Sequence, residues 1–184
     1  MTNTQPPSKR VDEATNAHLA QFSDSDMAYH EAGHAVIHHL GGGTIKRISI
    51  DRTDDRRGVR IDPKRAAADN GPEAAETTTP EDPKTKLTHT ISVLVAGDAA
   101  GTIHGTPEQI VTAGSRVDHD QALRAAAEAG LTPQDARAMI DDAWERAREQ
   151  LRQPETWRLV DALAKELIQQ RALEGDRIAA ILKG

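Results

Sequence analysis

The chain has 184 residues, of which 37% are hydrophobic, 2% aromatic and none cysteine, and its net charge is −6. Disulfides, thiolate nucleophiles and Cys-type zinc sites are excluded, and without a Lys/Arg block the electrostatic case for nucleic acid is weak, so none is expected. The sequence holds no run of about 18 apolar residues, so no membrane insertion is expected, and it holds no phosphate-binding G-x-x-x-x-G-K-[ST] loop.

With so few aromatics, the core must come from Ala, Leu, Ile and Val, which suits packed helices better than a β-sandwich. Met1 to Arg10 is polar, contains proline and lacks the apolar stretch of a signal peptide. Together with the absence of cysteine this leads us to expect a cytoplasmic protein. The expected organisation is a flexible segment over residues 1–22, followed by one domain over 23–184.

In chain order, residues 1–10 read as disordered and Val11 to Gln21 as a short helix. Ser23-Asp24-Ser25-Asp26 is a run of N-cap residues. It predicts a helix from about Asp26 to Leu40, stopped by Gly41-Gly42-Gly43. Thr44 to Asp51 reads as a strand with Ile48 and Ile50 on one face. Val59-Arg60-Ile61 is a second, shorter strand, either a plain hairpin strand or an edge for an extended substrate. Residues 64–83 lose all apolar periodicity and read as a long mobile loop.

Leu87, Ile91, Leu94 and Val95 keep helical spacing, so Lys84 to Ala100 is an amphipathic helix. Gly101 to Gly114 reads as another loop, and Val117 to Glu128 as a helix closed by Gly130. Thr132-Pro133 opens a helix to about Gln153, and Pro154 opens one to about Ala172. Asp176 to Leu182 forms a last short helix. Trp144 and Trp157 are expected in the core, whereas Arg146, Arg148 and Arg152 with Glu145 and Glu149 form a solvated face. The fold class is therefore mainly α (α+β), with a small sheet near the N-terminal third.

One motif carries chemistry. His30-Glu31-Ala32-Gly33-His34 falls inside the first long predicted helix. A four-residue spacing stacks two imidazoles on one face, and zinc accepts imidazole nitrogen at about 2.0–2.1 Å. Glu31, one residue further round, is placed to take a proton from a zinc-bound water whose pKa the ion lowers towards about 7, and to hand it to the leaving amine. With 8 His in 184 residues, H-E-x-x-H arises by chance in roughly 2% of such sequences. The apolar neighbours Ala32, Ala35, Val36 and Ile37 argue for a buried helix rather than a solvated one. Gly33 costs about 1 kcal/mol against Ala in a helix interior, which points to a second backbone packed closely there. A catalytic zinc site needs a third protein ligand. His38, His39, His89, His104, Asp98, Asp118, His119 and Asp120 are the candidates, and composition does not choose among them. His38 is too far along the axis and reads with His39 as a cation at the helix C-terminus.

Tyr29-His30-Glu31-Ala32-Gly33-His34-Ala35-Val36 resembles the catalytic helix of the FtsH-type zinc metalloproteases, which join an AAA+ ATPase to a helical peptidase domain. Ile45 to Ile50 resembles the strand that follows it. Lys84 to Ala100 resembles the helix ending in the family's Gly-Arg-Ala-Ala-Glu pattern. Thr112-Ala113-Gly114-Ser115-Arg116-Val117-Asp118 resembles the segment whose last residue is the family's third zinc ligand, and Leu173 to Ile178 resembles its closing pattern. The resemblance spans about residues 27–182. It implies a helical zincin-like peptidase domain with one zinc ion held by His30, His34 and Asp118, and Glu31 as catalytic base and acid. His119 and Asp120 stand next in line as ligands.

Some positions depart from the pattern: Asp98 and Gly101 replace its Arg and Glu, and Val117 replaces an Asn. The expected activity is hydrolysis of unfolded or flexible polypeptide, alone or with an AAA+ ATPase supplied in trans, by a monomer or a small homo-oligomer. The alternative is a peptidase-fold interaction module that retains zinc with little or no catalysis. A zinc hydrolase acting on a non-peptide bond is a third, weaker option.

Overall fold

The computed structural model describes residues 22–51, 58–61 and 82–183. The helix expected at Val11–Gln21 and nearly all of the loop expected at 64–83 lie outside these residues. Phe22, placed at the end of the flexible segment, is instead buried against Gly114.

The first helix, α1, spans Asp24–Leu40 and begins where its caps dictate. Ser23 Oγ accepts from the Asp26 amide at 3.1 Å, and the Asp26 carboxylate accepts from the Ser23 amide at 3.0 Å, which satisfies two amides that the helix start leaves unpaired. The glycine run ends it, with Gly42 rather than Gly41 taking the left-handed conformation, at φ 82°. Strand β1 (Ile45–Ser49) follows, with Ile48 and Ile50 buried as their alternation predicts. It lies between β2 (Gly58–Ile61) and β3 (Ala172–Glu174), antiparallel to both, so β2 is an edge strand among the described residues.

Helix α2 runs Pro83–His104, capped by the Asp82 carboxylate, which accepts from the amides of Lys84 and Thr85. It passes through Gly101, which the sequence reading assigned to a loop. A glycine stops a helix when it turns left-handed, and here that residue is Gly105, at φ 92°. The rest of the expected loop is also ordered: Pro107 starts α3 (Glu108–Gly114), and α4 follows at Arg116–Glu128.

Thr132 Oγ1 accepts from the Asp135 amide and Pro133 opens α5 (Pro133–Leu151); Pro154 opens α6 (Pro154–Gln170). The latter stops short of Ala172 because Arg171 adopts φ 64° and pairs with Asp24, sending the chain into β3. Helix α7 (Gly175–Leu182) closes the fold. Trp144 and Trp157 pack partly buried against the core, and Arg146 and Arg148 pair with Asp142 and Glu145 at the surface. Among the described residues no helix is long and apolar enough to cross a membrane.

The protein is mainly helical, with α2 at its centre, packed against α1, α4 and α5. The α1–α2 crossing is very close. A Cβ added at Gly33 would lie 2.5 Å from Ala100 Cβ and 2.6 Å from the Ala96 carbonyl oxygen. Gly33 is therefore glycine because another backbone occupies that space, as its helix-interior position suggested. This crossing brings the motif on α1 against α2 and, beside it, the start of α4.

Candidate metal centre

His30 and His34 project from α1 with ring centroids 4.6 Å apart and planes at 88°. Their Nε2 atoms are 3.0 Å apart. Asp118, in the first turn of α4, brings Oδ2 to 3.2 Å from His30 Nε2 and 3.4 Å from His34 Nε2. Tetrahedral coordination with bonds of about 2.0–2.1 Å has ligand–ligand edges of about 3.3–3.4 Å, so this triangle has nearly the size that one small ion requires. The three side chains form a group able to hold a metal ion.

The hydrogen bonding fits that role. His34 Nδ1 lies 2.7 Å from the Val93 carbonyl oxygen. A carbonyl only accepts, so Nδ1 carries the proton there and Nε2 faces the triangle. Two imidazole nitrogens and a carboxylate oxygen this close repel one another unless a proton or cation lies between them. Where a proton serves, burial opposes a charged His34, but the hydrogen bond and charge of Asp118 outweigh it and push the ring up to about 9. Burial likewise opposes a charged Asp118, yet the bonds from His30 and His34 hold its carboxyl well below the usual range. A divalent cation would do the same work with more charge, displacing the protons that the three groups share.

Helix α2 forms the floor of the site. A Cβ at Gly97 would stand 2.5 Å from His30 Cε1, 2.5 Å from His34 Nε2 and 2.7 Å from His30 Nδ1. Both rings rest on bare backbone, and no other residue type leaves them room. Sequence reasoning did not single out Gly97 as part of the site, although a lone glycine inside an amphipathic helix was a signal. Asp98, the next residue, points Oδ1 towards His30 Nδ1 at 3.9 Å. Burial pushes its carboxyl up to about 6 against the pull of His30.

The other candidate ligands sit elsewhere. His119 and Asp120 are exposed on α4. His104 stacks on Tyr29 with centroids 3.7 Å apart and bonds Ser25 Oγ at 3.0 Å. Tyr29, buried, donates to Asp161 at 2.7 Å and so ties the start of α1 to α6. His38 is no C-terminal cation: it is buried, with Nδ1 3.3 Å from His89 Nε2. Burial first and His89 second push its pKa below the ordinary value, and His39 is lowered too, by burial and by Lys183. Both rings are therefore neutral at pH 7.

No protein-family model matches the chain, and no curated protein matches it.

Proposed function

We propose that this protein is a zinc-dependent endopeptidase of the FtsH peptidase type, with His30, His34 and Asp118 as ligands and Glu31 as proton carrier. The observation that carries this reading is the converging triangle of His30 Nε2, His34 Nε2 and Asp118 Oδ2, with edges of 3.0, 3.2 and 3.4 Å. Two imidazoles and a carboxylate suit zinc, and three protein ligands leave a fourth position for water or substrate, the pattern of catalytic rather than structural sites. Bound zinc supplies a Lewis acid that acidifies water near neutral pH and polarises a peptide carbonyl.

Glu31 follows His30 on α1, and its charge reaches His34. Its role is to accept a proton from the attacking water and deliver it to the departing amine nitrogen. Val93 holds His34 from behind and Gly97 supports both rings, so the ligands are oriented before substrate arrives. Strand β2, an edge strand among the described residues, is where an extended polypeptide would add to the sheet, which favours unfolded or flexible substrates over folded ones. An ATPase acting in trans would extend the range to folded proteins.

The test combines zinc quantification with casein and peptide cleavage by the wild type and Glu31→Gln. One zinc per chain is expected in both. Cleavage should fall by about 10²–10⁴-fold in the variant and be lost from the wild type on chelation. Unchanged cleavage by Glu31→Gln refutes the mechanism. Stoichiometric zinc without hydrolysis across a broad peptide library assigns the fold to binding instead.

A further inference from the structure

The two imidazoles are held differently at their rear nitrogens. His34 Nδ1 donates to the Val93 carbonyl at 2.7 Å, which fixes both its tautomer and its ring plane. His30 uses Nε2 towards His34 and Asp118, and its Nδ1 faces Asp98 Oδ1 at 3.9 Å. Asp98 Oδ1 is itself buried and has no hydrogen-bond partner among the described residues, although the carboxylate also has a side-chain hydrogen bond with Ser115. A buried carboxylate oxygen without a donor is costly and uncommon, and here His30 Nδ1, the ring nitrogen turned away from the triangle, lies 3.9 Å from it.

We infer that Asp98 is a positioning residue for the metal centre: it accepts from His30 Nδ1–H and fixes His30 Nε2 as the ligand atom. The inference rests on the metal-centre reading above. The 3.9 Å separation is that of a loose ion pair. A charge-assisted bond forms at about 2.8 Å, so closure takes about 1 Å of motion. Such contacts commonly tighten only when the site is loaded. Both orienting groups then come from α2, Val93 by its backbone and Asp98 by its side chain, with Gly97 pressed against the rings between them. A carboxylate behind a ligating imidazole also raises the basicity of the metal-bound nitrogen.

The experiment measures zinc affinity by competition with a chromophoric chelator, the visible spectrum of the Co(II)-loaded protein, and the melting temperature of the metal-free protein. It compares wild type, Asp98→Asn and Asp98→Ala. Zinc binding should weaken 10–100-fold in Asp98→Ala, and less in Asp98→Asn, whose amide oxygen still accepts from Nδ1–H. The metal-free melting temperature should stay close to that of wild type, because relief of a buried carboxylate offsets the lost bond with Ser115, and the Co(II) band should keep its tetrahedral intensity. Affinity within twofold of wild type in Asp98→Ala overturns the inference. So does a metal-free melting temperature that falls in step with affinity, which marks a structural role, or an altered Co(II) band, which marks a direct ligand. A wild type that binds neither zinc nor cobalt overturns the metal centre and this inference together.

Discussion

Gly97→Ala places one methyl group where two imidazoles already stand. Its Cβ would lie 2.5 Å from His30 Cε1 and from His34 Nε2, whereas ordinary contact begins at 3.4 Å. The rings or the helix must retreat by the difference, about 0.9 Å. Metal–ligand distances hold to within about ±0.2 Å, so such a retreat removes two of three donors from bonding range. Zinc affinity should fall by at least about 100-fold, or about 2.8 kcal/mol.

The fold should respond much less. Alanine gains about 1 kcal/mol over glycine in a helix interior, against an overpacking cost of about 1–3 kcal/mol, so net destabilisation stays below about 2 kcal/mol. Gly101→Ala is the matched control, one turn along the same helix. Its Cβ would meet Val111 Cγ2 at 3.5 Å, ordinary contact, so stability should hold or rise by up to about 1 kcal/mol with zinc binding unchanged. Competition titration and thermal denaturation of both variants decide the matter. Wild-type zinc affinity in Gly97→Ala would refute the claim that α2 backbone supports the rings.

The close α1–α2 crossing predicts that Gly33→Ala destabilises the protein by up to about 2 kcal/mol net of helix propensity, because the Ala96 carbonyl oxygen it meets at 2.6 Å is backbone and cannot rotate away; a melting temperature above wild type would contradict this packing. Asp26 is held below the usual carboxylate range, since the hydrogen bonds from Ser23 and Thr106 outweigh its burial. Its contribution is therefore present above about pH 4 and lost as pH falls through the lowered folded value. Asp26→Asn should cost about 1 kcal/mol near neutrality and progressively less below pH 4; a gap that widens in acid would reverse the sign of the argument.

The parts of the fold legible in the sequence were those fixed by local chemistry. Ser23, Thr132-Pro133 and Pro154 each mark a helix start, because capping and the missing proline N–H are settled within one turn. The misread parts depend on distant neighbours. Gly101 reads as a helix stop by composition, yet it stays helical because α3 packs over it and the left-handed turn falls at Gly105. Strand β3 is three residues long and exists only because β1 offers it a partner. His38 reads as a terminal cation because nothing local reveals that His89, 51 residues away, closes over it. Asp118 lies 88 residues from His30. Spacing could not have chosen it over seven other candidates, and only its resemblance to a known segment pointed there.

The small residues where α1 crosses α2 set the geometry of the site. Two helices whose facing residues are Gly33, Ala96, Gly97 and Ala100 approach until backbone touches side-chain base. Only at that separation can the Val93 carbonyl reach His34 Nδ1 and the Gly97 backbone lie flat beneath both imidazoles. Larger residues at the crossing would add buried area, at about 25 cal/mol per Å², and would push α1 away from the atoms that orient its ligands. The small-residue seam thus gives up packing energy for proximity, and its loss should appear first in metal affinity. A stabilised variant of this protein should accept larger side chains on the exposed faces of α5 and α6 and reject them at positions 33 and 97.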